Sequence, residues 1–344
     1  MNKKIIYIHP GYGKTGTTFL QETIFSEIKN FKNLGRSKNF DLDDLLTKQQ
    51  YQLFAPNYSS DRELPKNFSF FIKSYSEVLI KYIQESNVDN FILSDETICD
   101  RFNYYGELNL YHLKEVLDNV KKTIDIDYKF ILTIRKQSEI LISQYASDFA
   151  RLSKKFGNYQ NFLYTILKAK PEIGSIFKYD QLYKKIQDIY QCEILVLCIE
   201  EMEKDLPKYL KNMENFMEGF SINEASISKE RINVNSYLAD EKKHYFTKDF
   251  NIFHDIFGYL SQLHNKLLKY KIYNTNYKKF SFLNKARINI KNKLREKIKL
   301  KEDGKSKRIS NSQADFDGIN NFYLESNKNL EKLTKKNLKD FGYY

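Results

Sequence analysis

The sequence predicts an α/β fold, a central parallel β-sheet flanked by helices with a helical C-terminal portion. Three observations carry that prediction. Four short apolar runs recur along residues 1–201, segments with helical spacing separate them, and each run closes on polar residues. Short continuous apolar runs are what strands buried on both faces look like. Strand alternating with helix gives right-handed βαβ units, and so one parallel sheet with helices on both sides.

The strands are expected at Lys4 to Ile8, Asn90 to Leu93, Tyr128 to Ile134 and Cys192 to Ile199. Helical stripes are expected from Leu20, Ile24, Ile28 and Phe31, then over Val78 to Ile83, then from Leu110, Leu113 and Leu117, and from Leu182, Ile186 and Ile189. After about Glu201 the strand signals stop. Helices are expected over roughly 204–219, 240–270, 280–300 and 318–340. The chain therefore reads as a single domain, residues 1–344, with an α/β core in 1–201 and a mostly helical cap and extension in 202–344.

Bulk composition agrees. With 344 residues and 41% hydrophobic content the chain can bury a sizeable core, and 5 Pro with 12 Gly leave no linker-like tract. The start, MNKKIIYIHP, has too short an apolar run for a secretory leader, and no stretch approaches the ~20 apolar residues of a membrane span. A cytoplasmic protein is expected. Cys99, Cys192 and Cys198 have no metal-ligand spacing and read as buried thiols. A net charge of +12 attracts polyanions in general, but no motif that reads DNA or RNA accompanies it, so no nucleic-acid partner is expected.

In an open α/β sheet, ligands bind beyond the carboxyl ends of the strands. There the sequence places Gly11 to Thr18 after the first run, Ser94-Asp95-Glu96 after the second, Arg135 after the third and Glu200-Glu201 after the fourth. In YIHPGYGKTGTTFLQ, glycines allow tight turns, and Gly16, Thr17 and Thr18 lead into a helix whose first N–H groups lack intrahelical partners. Such a loop is an anion nest. Lys14 adds a mobile ammonium, and the hydroxyls of Thr15, Thr17 and Thr18 add donors. A nucleotide triphosphatase loop, GxxxxGK[ST], would need glycine where Ile8 stands. Because FILSDE resembles a magnesium-binding strand end, a Mg-dependent P-loop kinase or other phosphoryl transferase is the alternative.

IHPGYGKTGTTFLQ resembles the 5′-phosphosulfate loop of sulfotransferases that use 3′-phosphoadenosine 5′-phosphosulfate (PAPS), in their bacterial, carbohydrate-type branch. His9, Gly11, Lys14, Thr15, Gly16, Thr17 and Thr18 fall on that pattern. The family's 3′-phosphate site is an arginine at a strand end and a serine eight residues on, which ILTIRKQSEILISQY supplies as Arg135 and Ser143. Lys136-Gln137 stands where the family usually has Asp-Pro, and no Gly-rich C-terminal phosphate loop of the eukaryotic type is present. Weaker echoes are ERINVNS, where Arg231 is placed to approach the nucleotide, and the closing LESNKNLEKLTKKNLKDFGYY.

The resemblance implies a P-loop-like sheet and sulfuryl transfer from PAPS, without a metal, to an acceptor hydroxyl or, less often, an amine. A cell-surface glycan or glycolipid sugar is the expected acceptor. Lys14 is the expected leaving-group stabiliser, with Glu96 as the general base. Asp95 is the neighbour that could instead hold the base role, and a helix N-terminal acid that favours the macrodipole is the structural account of Glu96. His9 reads as structural, while His112 sits on a helical stripe and His244, His254 and His264 fall in the helical tail, so none of them is the expected base. Finally, residues 278–308 form a basic amphipathic stretch, which packs on the domain or rests on an anionic membrane face.

Overall fold

The computed structural model describes residues 3–35, 45–54, 68–99, 106–222, 245–246 and 308–344. Five strands form its main sheet: β1 (Lys4–His9), β2 (Phe31–Asn33), β3 (Asn90–Ser94), β4 (Ile126–Ile134) and β5 (Ile194–Cys198). All pairings are parallel, in the order β2-β3-β1-β4-β5. The helices are α1 (Thr17–Phe19), α2 (Leu45–Phe54), α3 (Phe68–Gln84), α4 (Gly106–Lys121), α5 (Gln137–Ser147), α6 (Phe149–Phe156), α7 (Tyr159–Tyr164), α8 (Pro171–Gly174), α9 (Tyr179–Tyr190), α10 (Ile199–Lys204), α11 (Leu206–Phe216) and α12 (Gln313–Thr334). Past Phe19, α1 widens into a π-helical stretch, Leu20–Ile24.

Strand alternation builds two cores. Ile6 and Ile8 of β1, Phe91 and Leu93 of β3, and Phe130 and Leu132 of β4 face one side, with Leu79, Leu113 and Leu182 from α3, α4 and α9. Ile5, Tyr7, Ile92, Ile131 and Leu197 face the other, against Leu20, Tyr209 and Met213. The expected three-layer arrangement is therefore present, and the strands read as unbroken apolar runs because both faces are covered.

Strand order places the ligand crevice. From β1 the chain crosses to β2 and β3 on one side, then from β3 passes over β1 to β4 on the other, so the order reverses between β1 and β4. The carboxyl ends of those two strands flank the crevice.

The structure corrects the sequence expectations in several places. There are five parallel strands where four were expected. Phe31 was assigned to a helical stripe, but the helix from Thr17 stops at Phe25 and Phe31 opens β2, pairing with Asn90. At the other edge, Ile199 starts α10 and does not close β5. Strand structure also recurs after Glu201, since Tyr245–Phe246 (β6) pairs antiparallel with Arg308–Ile309 (β7). The helix expected over 204–219 is α11, and that over 318–340 is α12, which starts earlier on a capping box between Ser312 and Asp315. Apart from β6, the helix expected over 240–270 lies outside the described residues, as does the one over 280–300. The basic stretch 278–308 does too, save its last residue. No described helix is long and apolar enough to cross a membrane. Cys99 and Cys198 are buried and Cys192 half-buried, all as free thiols.

Candidate active site

The turn after β1 is held open by its own backbone. Lys14 and Gly16 both adopt left-handed conformations, φ 73° and 78°. Two such residues bracketing Thr15 curl the chain into α1, whose first N–H groups have no intrahelical acceptor. Gly11 is required by close approach. A Cβ there would stand 2.3 Å from Thr17 Cγ2, 3.0 Å from Thr133 Oγ1 and 3.1 Å from His9 Nε2. Gly11→Ala is therefore expected to lower stability by about 1–3 kcal/mol, read as a fall in the urea midpoint, since neither backbone nor buried network has room to give.

That network is a buried chain of hydrogen bonds under the loop. Gln21 Nε2 donates to Ser94 Oγ at 2.9 Å, and Ser94 Oγ lies 2.7 Å from His9 Nδ1. On the far side of the ring, His9 Nε2 is 3.1 Å from Thr133 Oγ1, which is 3.0 Å from Thr15 Oγ1. Thr15 Oγ1 donates to the carbonyl of Tyr12 at 2.7 Å. One direction satisfies every group: Ser94 donates to Nδ1, Nε2–H donates to Thr133, and Thr133 donates to Thr15. A neutral His9 thus ties the ends of β3 and β4 to the loop, which is the structural role the sequence suggested for it.

Burial pushes His9 down to about 3. An unfolded chain takes up a proton on this histidine as pH falls through about 6.5, whereas the folded protein does not until about 3. Stability is therefore lost as pH falls across that window. Between about pH 7.5 and about pH 5 this residue alone removes about 2 kcal/mol. Urea unfolding at both values should show that loss in the wild type, and a His9→Gln variant, less stable throughout, should lack that share of the slope.

Thr15 departs from the sequence expectation, because its hydroxyl is turned inward on Tyr12 and is no free donor for a ligand. Thr17 departs too: its hydroxyl donates to Glu96 Oε1. Thr18 is half-buried in the first turn of α1. The donors that remain to the loop are the first backbone amides of α1, the Lys14 ammonium and the Thr18 hydroxyl, which makes no hydrogen bond among the described residues.

Glu96 is brought to the loop by Asp95. Asp95 is buried and caps the short 3₁₀ turn Glu96–Ile98, accepting from Thr97 N at 2.9 Å and Thr97 Oγ1 at 2.6 Å. Its other oxygen accepts from Gln50 Nε2 at 2.7 Å. Asp95 thus holds the turn with both carboxylate oxygens engaged, and Glu96 reaches over the loop. Its Oε2 is 3.6 Å from the point a Cβ on Gly13 would occupy.

Lys14 sits among charges of both signs. Burial lowers its pKa, the Arg135 charge adds to that, and Glu96 and Asp148 oppose it. Arg135, at the end of β4, donates from Nη1 to the carbonyl of Lys14 at 3.3 Å and pairs through Nη2 with Glu139 Oε2 at 3.5 Å. The two sequence motifs therefore meet directly, across the crevice between β1 and β4. Ser143 is half-buried on α5, less than two turns past Gln137, and its hydroxyl makes no hydrogen bond among the described residues. Arg231 lies outside the described residues.

Sequence reasoning missed what fixes the Arg135 turn. Tyr179 OH donates to the Arg135 carbonyl at 2.7 Å, and Lys136 N donates to Glu200 Oε1 at 2.8 Å. Tyr343 OH holds the other Glu200 oxygen at 2.9 Å. Burial raises the pKa of Glu200. Gln137 Nε2 donates to Asn327 Oδ1 at 2.8 Å, and Asn327 Nδ2 returns a bond to Gln137 Oε1 at 3.2 Å. Side-chain bonds from α12 and the tail thus set the turn where the related pattern has Asp-Pro. Glu201 is likewise structural, accepting from Asn212 and Lys336.

The family model described as Sulfotransferase domain matches residues 7–265. No curated protein matches the chain. A solved structure described as the crystal structure of sulfotransferase from Alicyclobacillus acidocaldarius is similar to it, with a TM-score of 0.47 and 9% identity over 99% of each chain.

Proposed function

Because the chain belongs to the sulfotransferase family, we propose that it moves a sulfuryl group from PAPS to a hydroxyl of a cell-surface glycan or glycolipid sugar. Sulfuryl transfer is the activity of the family, and PAPS is the donor it implies. The observation that carries the residue-level reading is the 3.3 Å bond from Arg135 to the carbonyl of Lys14. It sets a guanidinium suited to a phosphate beside a nest suited to a sulfonate, within one crevice.

PAPS supplies the sulfuryl group and collects negative charge on its departing phosphate oxygen. The protein's part is to place the groups and to meet that charge. The amides of Gly16 to Thr18 and the Lys14 ammonium face the sulfonated end. Arg135 and Ser143 take the 3′-phosphate. Glu96, held by Thr17, takes the proton from the acceptor hydroxyl. The aromatic content of the chain, with 26 Tyr and 26 Phe, suits stacking on a sugar ring.

Calorimetry with 3′,5′-adenosine bisphosphate in EDTA tests the donor assignment. Micromolar or tighter binding is the expected result, and it separates this reading from a Mg-dependent phosphoryl transferase. The latter would bind ADP or ATP in preference and only with magnesium present.

A further inference from the structure

Lys14 is the only non-glycine residue of the loop with a positive φ, at 73° among the described residues. A side chain with a Cβ rarely adopts that conformation without something to hold it. Among the described residues, the one side-chain bond to its peptide group is from the guanidinium of Arg135, Nη1 to the Lys14 carbonyl at 3.3 Å. Arg135 is itself fixed at its own carbonyl by Tyr179 and at Nη2 by Glu139. Both of those partners stand on helices packed against the sheet, so the guanidinium reaches the loop from a rigid base.

We propose that Arg135 is a positioning residue for Lys14: by holding the Lys14 carbonyl it keeps the loop curled, and so couples the 3′-phosphate end of the donor to the sulfonated end. This rests on the donor assignment above and adds a second task for Arg135 beyond a phosphate contact. Ser143, whose hydroxyl makes no hydrogen bond to Lys14 or the loop among the described residues, has no such task. The two residues assigned to one phosphate therefore differ in what else they support. A donor lacking the 3′-phosphate separates the tasks, because it leaves the phosphate contact out of the measurement.

The probes are PAPS and adenosine 5′-phosphosulfate, which has the sulfonated end alone, titrated by calorimetry into wild type, Ser143→Ala and Arg135→Met. Methionine keeps the bulk of the arginine stem and removes its donors. Ser143→Ala is expected to weaken PAPS about tenfold and leave adenosine 5′-phosphosulfate within twofold. Arg135→Met is expected to weaken both by about tenfold or more. Since loss of a positive charge alone would also weaken an anion, amide hydrogen exchange of residues 11–19 in the ligand-free proteins is the second measurement. It should accelerate about tenfold or more in Arg135→Met and stay unchanged in Ser143→Ala. Unchanged exchange in Arg135→Met, or adenosine 5′-phosphosulfate binding within twofold of wild type, overturns the coupling while leaving the donor assignment intact. Failure of the wild type to bind PAPS at all removes the donor assignment, and the coupling with it.

Discussion

Lys14→Ala is expected to lower the rate of 3′,5′-adenosine bisphosphate release from PAPS by about 10²-fold or more, the scale of losing one preorganised donor to a developing oxyanion. Binding of the bisphosphate product should fall by less than about tenfold, because the amides of the nest and the Arg135 side remain. The substitution is a clean one for the backbone. Alanine and lysine carry the same Cβ, so the left-handed φ of 73° is no harder to hold in the variant, and what is removed is the ammonium. That ammonium is half-buried, with burial and Arg135 lowering its pKa and Glu96 and Asp148 raising it. In such a setting it is only partly shielded by water, so its charge acts at fuller strength on a leaving oxygen than a solvated lysine would. A variant with near-normal rate would show that the amides alone meet the charge and that Lys14 serves the loop only.

How much of this was legible in the sequence varies with the kind of signal. Runs such as YKFILTI carry their strand assignment in every residue, and buried parallel strands leave no ambiguity of face. β2 is different. It is the three residues Phe31-Lys32-Asn33 at the sheet edge, and Phe31 also fits the helical stripe from Leu20. The available cue was Gly35, where a Cβ would stand 2.3 Å from the carbonyl oxygen of Ser94, a backbone approach only glycine permits. The meeting of Lys14, Glu96 and Arg135 at the β1 loop was legible because strand ends and a glycine loop fix where their side chains begin. Their partners were not. Thr133 is the last but one residue of an apolar run and nothing local marks its hydroxyl as the hinge between His9 and Thr15. Tyr179, Asn327 and Tyr343 act on the Arg135 turn from 44 to 208 residues away in sequence, and only the packing of α9 and α12 brings them there. The hydroxyls of Thr15 and Thr17 look alike in a motif, yet one bonds a backbone carbonyl and the other a carboxylate.

The second large effect concerns that carboxylate. Glu96→Gln keeps an oxygen able to accept from Thr17 and keeps the length of the side chain, so the contact between the 3₁₀ turn and the loop should survive. The ability to take a proton does not survive. With PAPS and an acceptor that supports wild-type turnover, the rate is expected to fall by about 10²- to 10⁴-fold, the range for a positioned general base. Binding of 3′,5′-adenosine bisphosphate near neutral pH should remain within about threefold. A residue serving only as an acid at the start of a turn would give a different pattern, a modest stability loss with turnover preserved. The charge has a further consequence. Glu96 raises the pKa of Lys14 against the lowering by burial and Arg135, so its neutralisation lets Lys14 lose its proton at a lower pH. Bisphosphate affinity measured across the alkaline range should therefore begin to decline earlier in Glu96→Gln than in wild type. Two curves that superpose would mean that the carboxylate and the ammonium act on separate parts of the crevice, and the proton would then have to leave the acceptor by another group.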